Sequence, residues 1–173
     1  MSLVIEDPAK IDDQTRQITL HPTEGFNLTL GIEFVANSGA TNHLDQIPDD
    51  HSKLERPLRI GEDVYWLTVE GGDDDTVIVS LRSADEQDAP GDKALQAAAG
   101  IVNRRFFMDV DMAKVEKTLE ADKYGKELLT RFYPARPANY PSAWEALIKS
   151  VVHMQIYTGL AAKLDDYLCR KYG

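Results

Sequence analysis

Alternating apolar and polar side chains predict a β-sheet in the first half of the chain. Residues 64–71 and 76–83 are rich in β-branched and aromatic residues, which favour strands, and the Gly-rich segment between them predicts a hairpin loop. Residues 16–21 and 56–62 have the same strand character. Residues 26–36 fit either a strand or a helix, because their apolar positions alternate and also form a helical stripe.

Apolar residues three and four positions apart predict helices throughout the second half of the chain. A linker containing Pro and Gly, at residues 83–92, precedes them. Ser142 and Glu145 form a capping box, in which both side chains bind free backbone amides at a helix start. Asp111 and Asp122 are the expected N-caps of two other helices. The predicted helices span residues 93–107, 110–121, 122–132, 143–152 and 158–172.

Charge separates the chain into two predicted units. Residues 1–92, an acidic α+β unit, hold 6 Lys and Arg against 20 Asp and Glu, a balance of −14, whereas residues 93–173 hold 13 against 9, a balance of +4. An acidic surface repels nucleic-acid phosphates, so only the second unit has a charge that suits DNA. The predicted fold class is α+β, with an N-terminal antiparallel sheet and flanking helices, followed by a partial helical domain.

The residues that could bind a metal or a cofactor have no suitable spacing. The single Cys169 excludes an internal disulfide and a multi-Cys metal cluster. Asp73, Asp74 and Asp75 lie at the Gly-rich hairpin loop without the spacing of a calcium loop, which indicates solvated charges. His153 has no second ligand at metal spacing. The chain also lacks a signal peptide and an apolar run long enough to span a membrane, so we expect a cytoplasmic protein without metal or cofactor.

A polar break interrupts the apolar helical pattern near the end of the sequence. His153, Gln155, Tyr157 and Thr158 lie between the helix that begins after Ser142 and the last helix. A surface corner between two helices explains these residues. A ligand contact made by the imidazole, amide and phenol groups is the alternative.

Three segments of the second unit follow one another in a fixed order: RRFFMDVDM, LLTRFYPARPANYPSAWEALIKSVVHMQI and AAKLDDYLCRKYG. Their main motifs are Ala135-Arg136-Pro137, then Trp144-Glu145-Ala146-Leu147, then His153-Met154-Gln155-Ile156. In this order and spacing they resemble the helix-hairpin-helix DNA glycosylase superfamily, specifically its 3-methyladenine DNA glycosylase II type. The resemblance covers residues 100–173. The first unit resembles the family's N-terminal domain in layout and in the segment LRIGEDVYWLTVE.

This resemblance implies a base-excision repair enzyme that flips an alkylated or damaged base out of double-stranded DNA and cleaves its glycosidic bond. It implies that Gln155 fills the gap left by the base and that Tyr157 lines the base pocket. It also implies DNA contacts from His153 and Arg136. From the residues alone, Gln155 also fits an exposed corner, Tyr157 fits core packing, and Arg136 fits a support of the fold.

The sequence departs from the family pattern in two respects. Met154 replaces the first of the family's paired glutamines, and the family's hairpin and catalytic Asp lie beyond the position of Gly173. The resemblance therefore assigns no catalytic residue, and we expect this N-terminal portion of a glycosylase to be inactive alone. Asp165 and Asp166 are expected to face solvent. Two alternatives are a non-catalytic DNA- or protein-binding module that kept the fold, and an unrelated α+β domain.

The apolar residues of the last two helices predict a surface for self-association. If further helices do not cover them, they form a patch larger than a monomer usually exposes. Trp144, in contrast, is expected to anchor the core of the helical part. The predicted patch consists of Leu147, Ile148, Val151, Val152, Ile156, Leu160, Leu164 and Leu168.

Overall fold

The computed structural model describes residues 4–6, 9–11, 14–37, 44–84, 89–132, 136–154 and 156–172. Within these residues, six strands form one antiparallel sheet: β1 (Val4–Ile5), β2 (Ala9–Lys10), β3 (Thr15–His21), β4 (Lys53–Ile60), β5 (Asp63–Gly71) and β6 (Val77–Ser83). The four long strands lie in the order β3-β6-β5-β4, and the short strands β1 and β2 both pair with β3.

The helices in the described part of the chain are α1 (Leu28–Asn37), α2 (Asp92–Phe106), α3 (Met112–Leu119), α4 (Lys123–Phe132), α5 (Ala143–Val152) and α6 (Thr158–Tyr172). None of these helices combines the length and apolar content that a membrane span requires.

One face of the sheet and two helices enclose the hydrophobic core. The register places Val79 on β6 opposite Ile18 on β3 and Val69 on β5, and all three side chains are buried. Because side chains alternate between the two faces of a strand, this register puts one continuous apolar surface on the same side of the sheet. Helices α1 and α2 cover that surface, and α2 contributes its buried stripe of Leu95, Ala98, Ala99, Val102 and Phe106.

The ambiguous segment at residues 26–36 is a helix from Leu28 onward. Leu28, Ile32 and Val35 form the buried stripe of α1, whereas Phe34, which the strand alternation would have buried, is exposed. The side chain of Asn27 accepts a hydrogen bond from the amide of Leu30 at 3.0 Å, which caps the first turn. Burial of the helical stripe therefore decides between the two periods.

The predicted fold class is confirmed: the protein is α+β, with an antiparallel sheet, flanking helices and a following helical part. The four long strands overlap the predicted segments, with the largest difference at β4, which begins three residues earlier and ends two residues earlier than predicted. Strands β1 and β2 are too short to show a period in the sequence. The division at residues 83–92 stays a prediction. Helix α2, which follows that linker, packs on the sheet and shares its core.

Candidate nucleic-acid interface

Helix α5 begins at the predicted Ser142 cap, and Glu145 of the capping box also binds a residue of the sheet. The Ser142 hydroxyl accepts a hydrogen bond from the Glu145 amide at 3.1 Å. The carboxylate of Glu145 accepts a hydrogen bond from Nη2 of Arg56, on β4, at 2.9 Å. The start of α5 is therefore held both by its own cap and by an ion pair to the sheet.

The inner face of the α5–α6 pair is charged. Lys149 and Asp165 are only 2% and 4% exposed, and Lys149 Nζ donates to Asp165 Oδ2 at 2.5 Å. The expectation that Asp165 faces solvent is wrong, because the ion pair with Lys149 draws it between the two helices. Asp166, by contrast, is only partly buried and binds Arg170 on the same helix.

The outer face of the same two helices is apolar. Trp144 is 70% exposed, so the expectation that it anchors the core is also wrong. It precedes Glu145 on α5, and the inward direction of Glu145 and Lys149 leaves the indole on the solvent side. The exposed apolar residues include much of the predicted patch: Leu147, Val151, Ile156, Leu160 and Leu164.

The segment between α5 and α6 is here named the α5–α6 corner (residues 153–157, of which the structure describes all but residue 155). Its described backbone is tied at both ends. The His153 amide donates to the Lys149 carbonyl at 2.9 Å, and the Tyr157 carbonyl accepts from the Leu160 and Ala161 amides at 2.9 and 3.0 Å. These bonds end one helix and start the next, so the corner has a fixed entry and exit.

The side chains of the corner differ sharply in exposure. Tyr157 is 82% exposed, which does not fit the core-packing alternative, and Met154 and Ile156 are also exposed. His153 is half-buried, and its Nε2 atom is buried without a hydrogen-bond partner among the described residues. Gln155 lies outside the described residues, so its predicted role as the gap-filling side chain stays a prediction.

Arg136 lies away from solvent and binds the backbone of the sheet unit and the end of α2. Its Nη1 atom donates to the Phe107 carbonyl at 2.7 Å and to the Thr23 hydroxyl at 3.0 Å, and its guanidinium lies 5.4 Å from the centre of the Phe26 ring. Phe107 has the left-handed conformation, with φ of 52°, and ends α2. The sequence left two roles open for Arg136, a DNA contact and a support of the fold. These contacts favour the support of the fold.

Burial changes the electrostatics of the helical part. Arg105, Arg136 and Lys149 are buried and contribute little to a positive surface. Burial raises the pKa of the Tyr140 phenol, and the charges of Glu145 and Asp165 raise it further. The positive charge that the sequence assigns to this unit is therefore partly internal.

The known proteins that share this architecture are found by structure rather than by sequence. No protein-family model matches the chain, and no curated protein matches it. Among solved structures, it is similar to a 3-methyladenine DNA glycosylase from Archaeoglobus fulgidus, with a TM-score of 0.70 and 14% identity, over 90% of this chain and 50% of that chain. The two proteins share a fold. The chain spans about half the length of this glycosylase structure.

Some features of the site were not visible as functional candidates in the sequence. Met154 was a departure from a motif, yet it is one of the exposed apolar side chains of the corner. The ion pair between Arg56 and Glu145 joins residues 89 positions apart, so no local spacing signals it. The available signal was the spacing of Glu145 and Lys149, which lie four residues apart and therefore on one face of α5.

Proposed function

We propose that the chain is the N-terminal portion of a base-excision repair DNA glycosylase, and that its α5–α6 corner contacts double-stranded DNA at an alkylated or damaged base. The observation that carries this proposal is the fold shared with a 3-methyladenine DNA glycosylase over 90% of the chain. The sequence segments that resemble the same family begin at the end of α2 and on α4 and include α5 and α6, and this resemblance also supports the proposal.

The chemistry of the corner suits insertion into a duplex. Met154, Ile156 and Tyr157 expose apolar surface beside Gln155. Proteins that extrude a base use such side chains to occupy the vacated space, because unstacking costs a few kcal/mol for each step. In this proposal Gln155 fills the gap, since its amide both donates and accepts hydrogen bonds and can bind the unpaired opposite base.

Tyr157 and His153 have different parts in the proposal. The exposed phenol ring of Tyr157 offers a face to a cationic alkylated base, an attraction of about 0.5–2 kcal/mol. The imidazole Nε2 of His153 is buried in the described structure, so in this proposal the side chain turns outward to make its contact with DNA. Arg136 receives no phosphate contact, because its guanidinium already donates to carbonyl groups inside the fold.

Cleavage of the glycosidic bond is assigned to residues outside this sequence. The solved glycosylase is about twice as long as the part that the chain matches, and the resemblance puts the catalytic Asp beyond the position of Gly173. We therefore expect the 173-residue chain to bind damaged duplexes without releasing a base.

A second candidate, a non-catalytic protein-binding module, is favoured by one observation. The outer face of α5 and α6 exposes large apolar side chains, among them Trp144, Leu147 and Val151. A patch of this kind on a soluble domain usually marks a protein interface. In the leading proposal a further part of the glycosylase covers the same face. When the chain is isolated from that part, a second copy of the chain covers it.

The test is the affinity for a fluorescent duplex that carries an abasic analogue, compared with the intact duplex over a range of salt concentrations. The proposal predicts tighter binding to the abasic duplex and a logarithmic affinity that falls by about 0.9 per phosphate contact as salt rises tenfold. Replacement of Gln155 by Ala should remove most of the preference for the abasic duplex. Replacement of Gln96, an exposed glutamine on α2, should leave it unchanged.

Two results would contradict the proposal. The first is an absence of binding to either duplex at low salt. The second is an equal loss of affinity in the Gln155→Ala and Gln96→Ala variants, because it would mean that the corner has no special part in binding. Concentration-dependent association of a chain that does not bind DNA would favour the protein-binding module.

A further inference from the structure

Six charged side chains of alternating sign connect the sheet to the α5–α6 pair. They lie on α2, on the loop before β4, on β4 itself, on α5 and on α6, and most are almost fully buried. We name them the charge chain, in the order Arg105, Asp45, Arg56, Glu145, Lys149 and Asp165.

Asp45 joins the first three members. Its Oδ2 atom accepts a hydrogen bond from Arg105 Nη2 at 2.8 Å, and its Oδ1 atom accepts from Arg105 Nη1 and Arg56 Nη1, both at 3.1 Å. Arg105 therefore makes a two-pronged contact, which fixes both distance and angle between the groups. This contact ties α2 to the loop, and the Arg56–Asp45 bond ties the loop to β4.

Arg56 passes the connection from the sheet to α5. Its Nη2 atom donates to Glu145 Oε2 at 2.9 Å, while its Nη1 atom remains on Asp45. Glu145 and Lys149 are four residues apart and so lie on the same face of α5. Lys149 in turn donates to Asp165, which carries the connection to α6.

The geometry of the charge chain restricts how the helices sit on the sheet. A buried charge that loses its partner is strongly unfavourable, so any shift of α5 that separates Glu145 from Arg56 carries a penalty that an apolar contact would not impose. Apolar side chains can slide against one another, whereas ion pairs require specific distances and directions. The outer faces of α5 and α6 are exposed and add no opposing contact within the described residues.

We propose that the charge chain positions the α5–α6 corner on the sheet, so that the acidic N-terminal unit is the platform that determines where the corner points. This inference goes beyond the proposed function, because it assigns a task to the sheet unit and holds for any ligand of the corner. Glu145 and Arg56 are its central positioning residues.

Cys169 supplies a built-in reporter of this arrangement. It is the single cysteine of the chain and lies half-buried on α6, one turn after Asp165. Burial raises the pKa of its thiol, and the charge of Asp165 raises it further, so the reactive thiolate is suppressed while the helices are in place. An α6 that moves away from the sheet exposes the thiol and accelerates its alkylation.

The experiment compares the Glu145→Gln variant with wild type by amide hydrogen exchange and by the rate of Cys169 alkylation with iodoacetamide. Loss of the charge-assisted Arg56–Glu145 hydrogen bond should accelerate amide exchange in α5 and α6 by about tenfold or more. It should accelerate the alkylation of Cys169 by a similar factor. Amide exchange in β3, β5 and β6 should not change. Glu127→Gln is the matched control, because Glu127 forms an exposed ion pair with Arg131 on α4. It should change neither rate.

If the single variant does not fold, the double variant Arg56→Gln with Glu145→Gln replaces it. This variant removes the link between β4 and α5 and leaves neither of its two charges unpaired. It also removes the Arg56–Asp45 contact, but Asp45 keeps both hydrogen bonds from Arg105. It should give the same acceleration in α5 and α6. Unchanged exchange in α5 and α6 of a folded variant would overturn the inference. An equal acceleration in the sheet and the helices, or failure of both variants to fold, would also overturn it, because the ion pairs would then support the whole fold. A chain that shows the local response but does not bind DNA would refute the proposed function alone.

Discussion

At the scale of single residues, the structure differs from the sequence prediction in which charged side chains are buried. Asp165 and Asp166 are adjacent acidic residues, yet only Asp165 is buried, through its ion pair with Lys149. The spacing of apolar residues along the helix cannot tell which of the two is buried, because both positions are occupied by a charged residue. The ion pair depends on the packing of α5 against α6, which no local rule specifies.

The first prediction concerns this buried pair. Replacement of Lys149 by Met leaves Asp165 buried without that partner and should lower the free energy of unfolding by about 3–5 kcal/mol. Replacement of both residues, by Met and Leu, should recover most of the loss, because no uncompensated charge remains. Chemical denaturation measures both changes. The exposed Lys126 on α4, replaced by Met, is the control, and an equal effect at Lys126 and Lys149 would contradict the assignment.

At the scale of elements, most of the fold could be predicted from the sequence. The period-2 segments gave the four long strands, and the caps at Ser142 and Asp122 mark real helix starts. The exception was residues 26–36, where two periods coexist and burial against the sheet decides for a helix. Trp144 could not be placed, because its exposure follows from which face of α5 meets the sheet, a matter of tertiary packing rather than of period.

The helices α3 and α4 meet at a close approach that gives the second prediction. A Cβ atom on Gly125 would lie 2.1 Å from the backbone carbonyl oxygen of Leu119, whereas one on Gly100, in α2, would meet only the flexible end of Arg104 at 3.4 Å. Gly125→Ala should therefore destabilise the protein by about 1–3 kcal/mol. Gly100→Ala should stabilise it by about 0.5–1 kcal/mol through helix propensity.

Thermal and chemical unfolding of the two glycine variants check this contrast. Both changes add one methyl group within a helix, so helix propensity alone predicts the same sign for both. A stabilising Gly125→Ala change would show that α3 and α4 do not approach each other as described.

At the scale of the whole molecule, two features define the protein: a sheet unit that encloses the main core, and a helix pair with its apolar side outward. The fold class could be predicted because patterning and resemblance agree, and the solved glycosylase shares that fold over most of the chain. The candidate site could be predicted as a corner, since its ends follow from the polar break at residues 153–158. Its attachment to the sheet could not, because Arg56 and Glu145 are distant in sequence.

The third prediction is that the isolated chain associates with itself through the outer face of α5 and α6. Sedimentation velocity should show a larger species that grows with protein concentration. Val151 and Leu164 are exposed on this face, and replacing both by Lys should shift the chain to the monomer, because charges then interrupt the apolar surface. Replacement of Phe34, an exposed apolar residue of α1, by Lys is the control and should not change the association. A wild-type chain that stays monomeric at high concentration would contradict this prediction.

The measurement that tests the central claim most directly is a titration of the isotope-labelled chain with an abasic duplex, followed by the chemical shifts of its amide groups. The account predicts that the largest changes fall in residues 153–160, around the α5–α6 corner, and that the Gln155→Ala variant reduces them. Changes confined to the acidic sheet unit, or no changes at low salt, would contradict it.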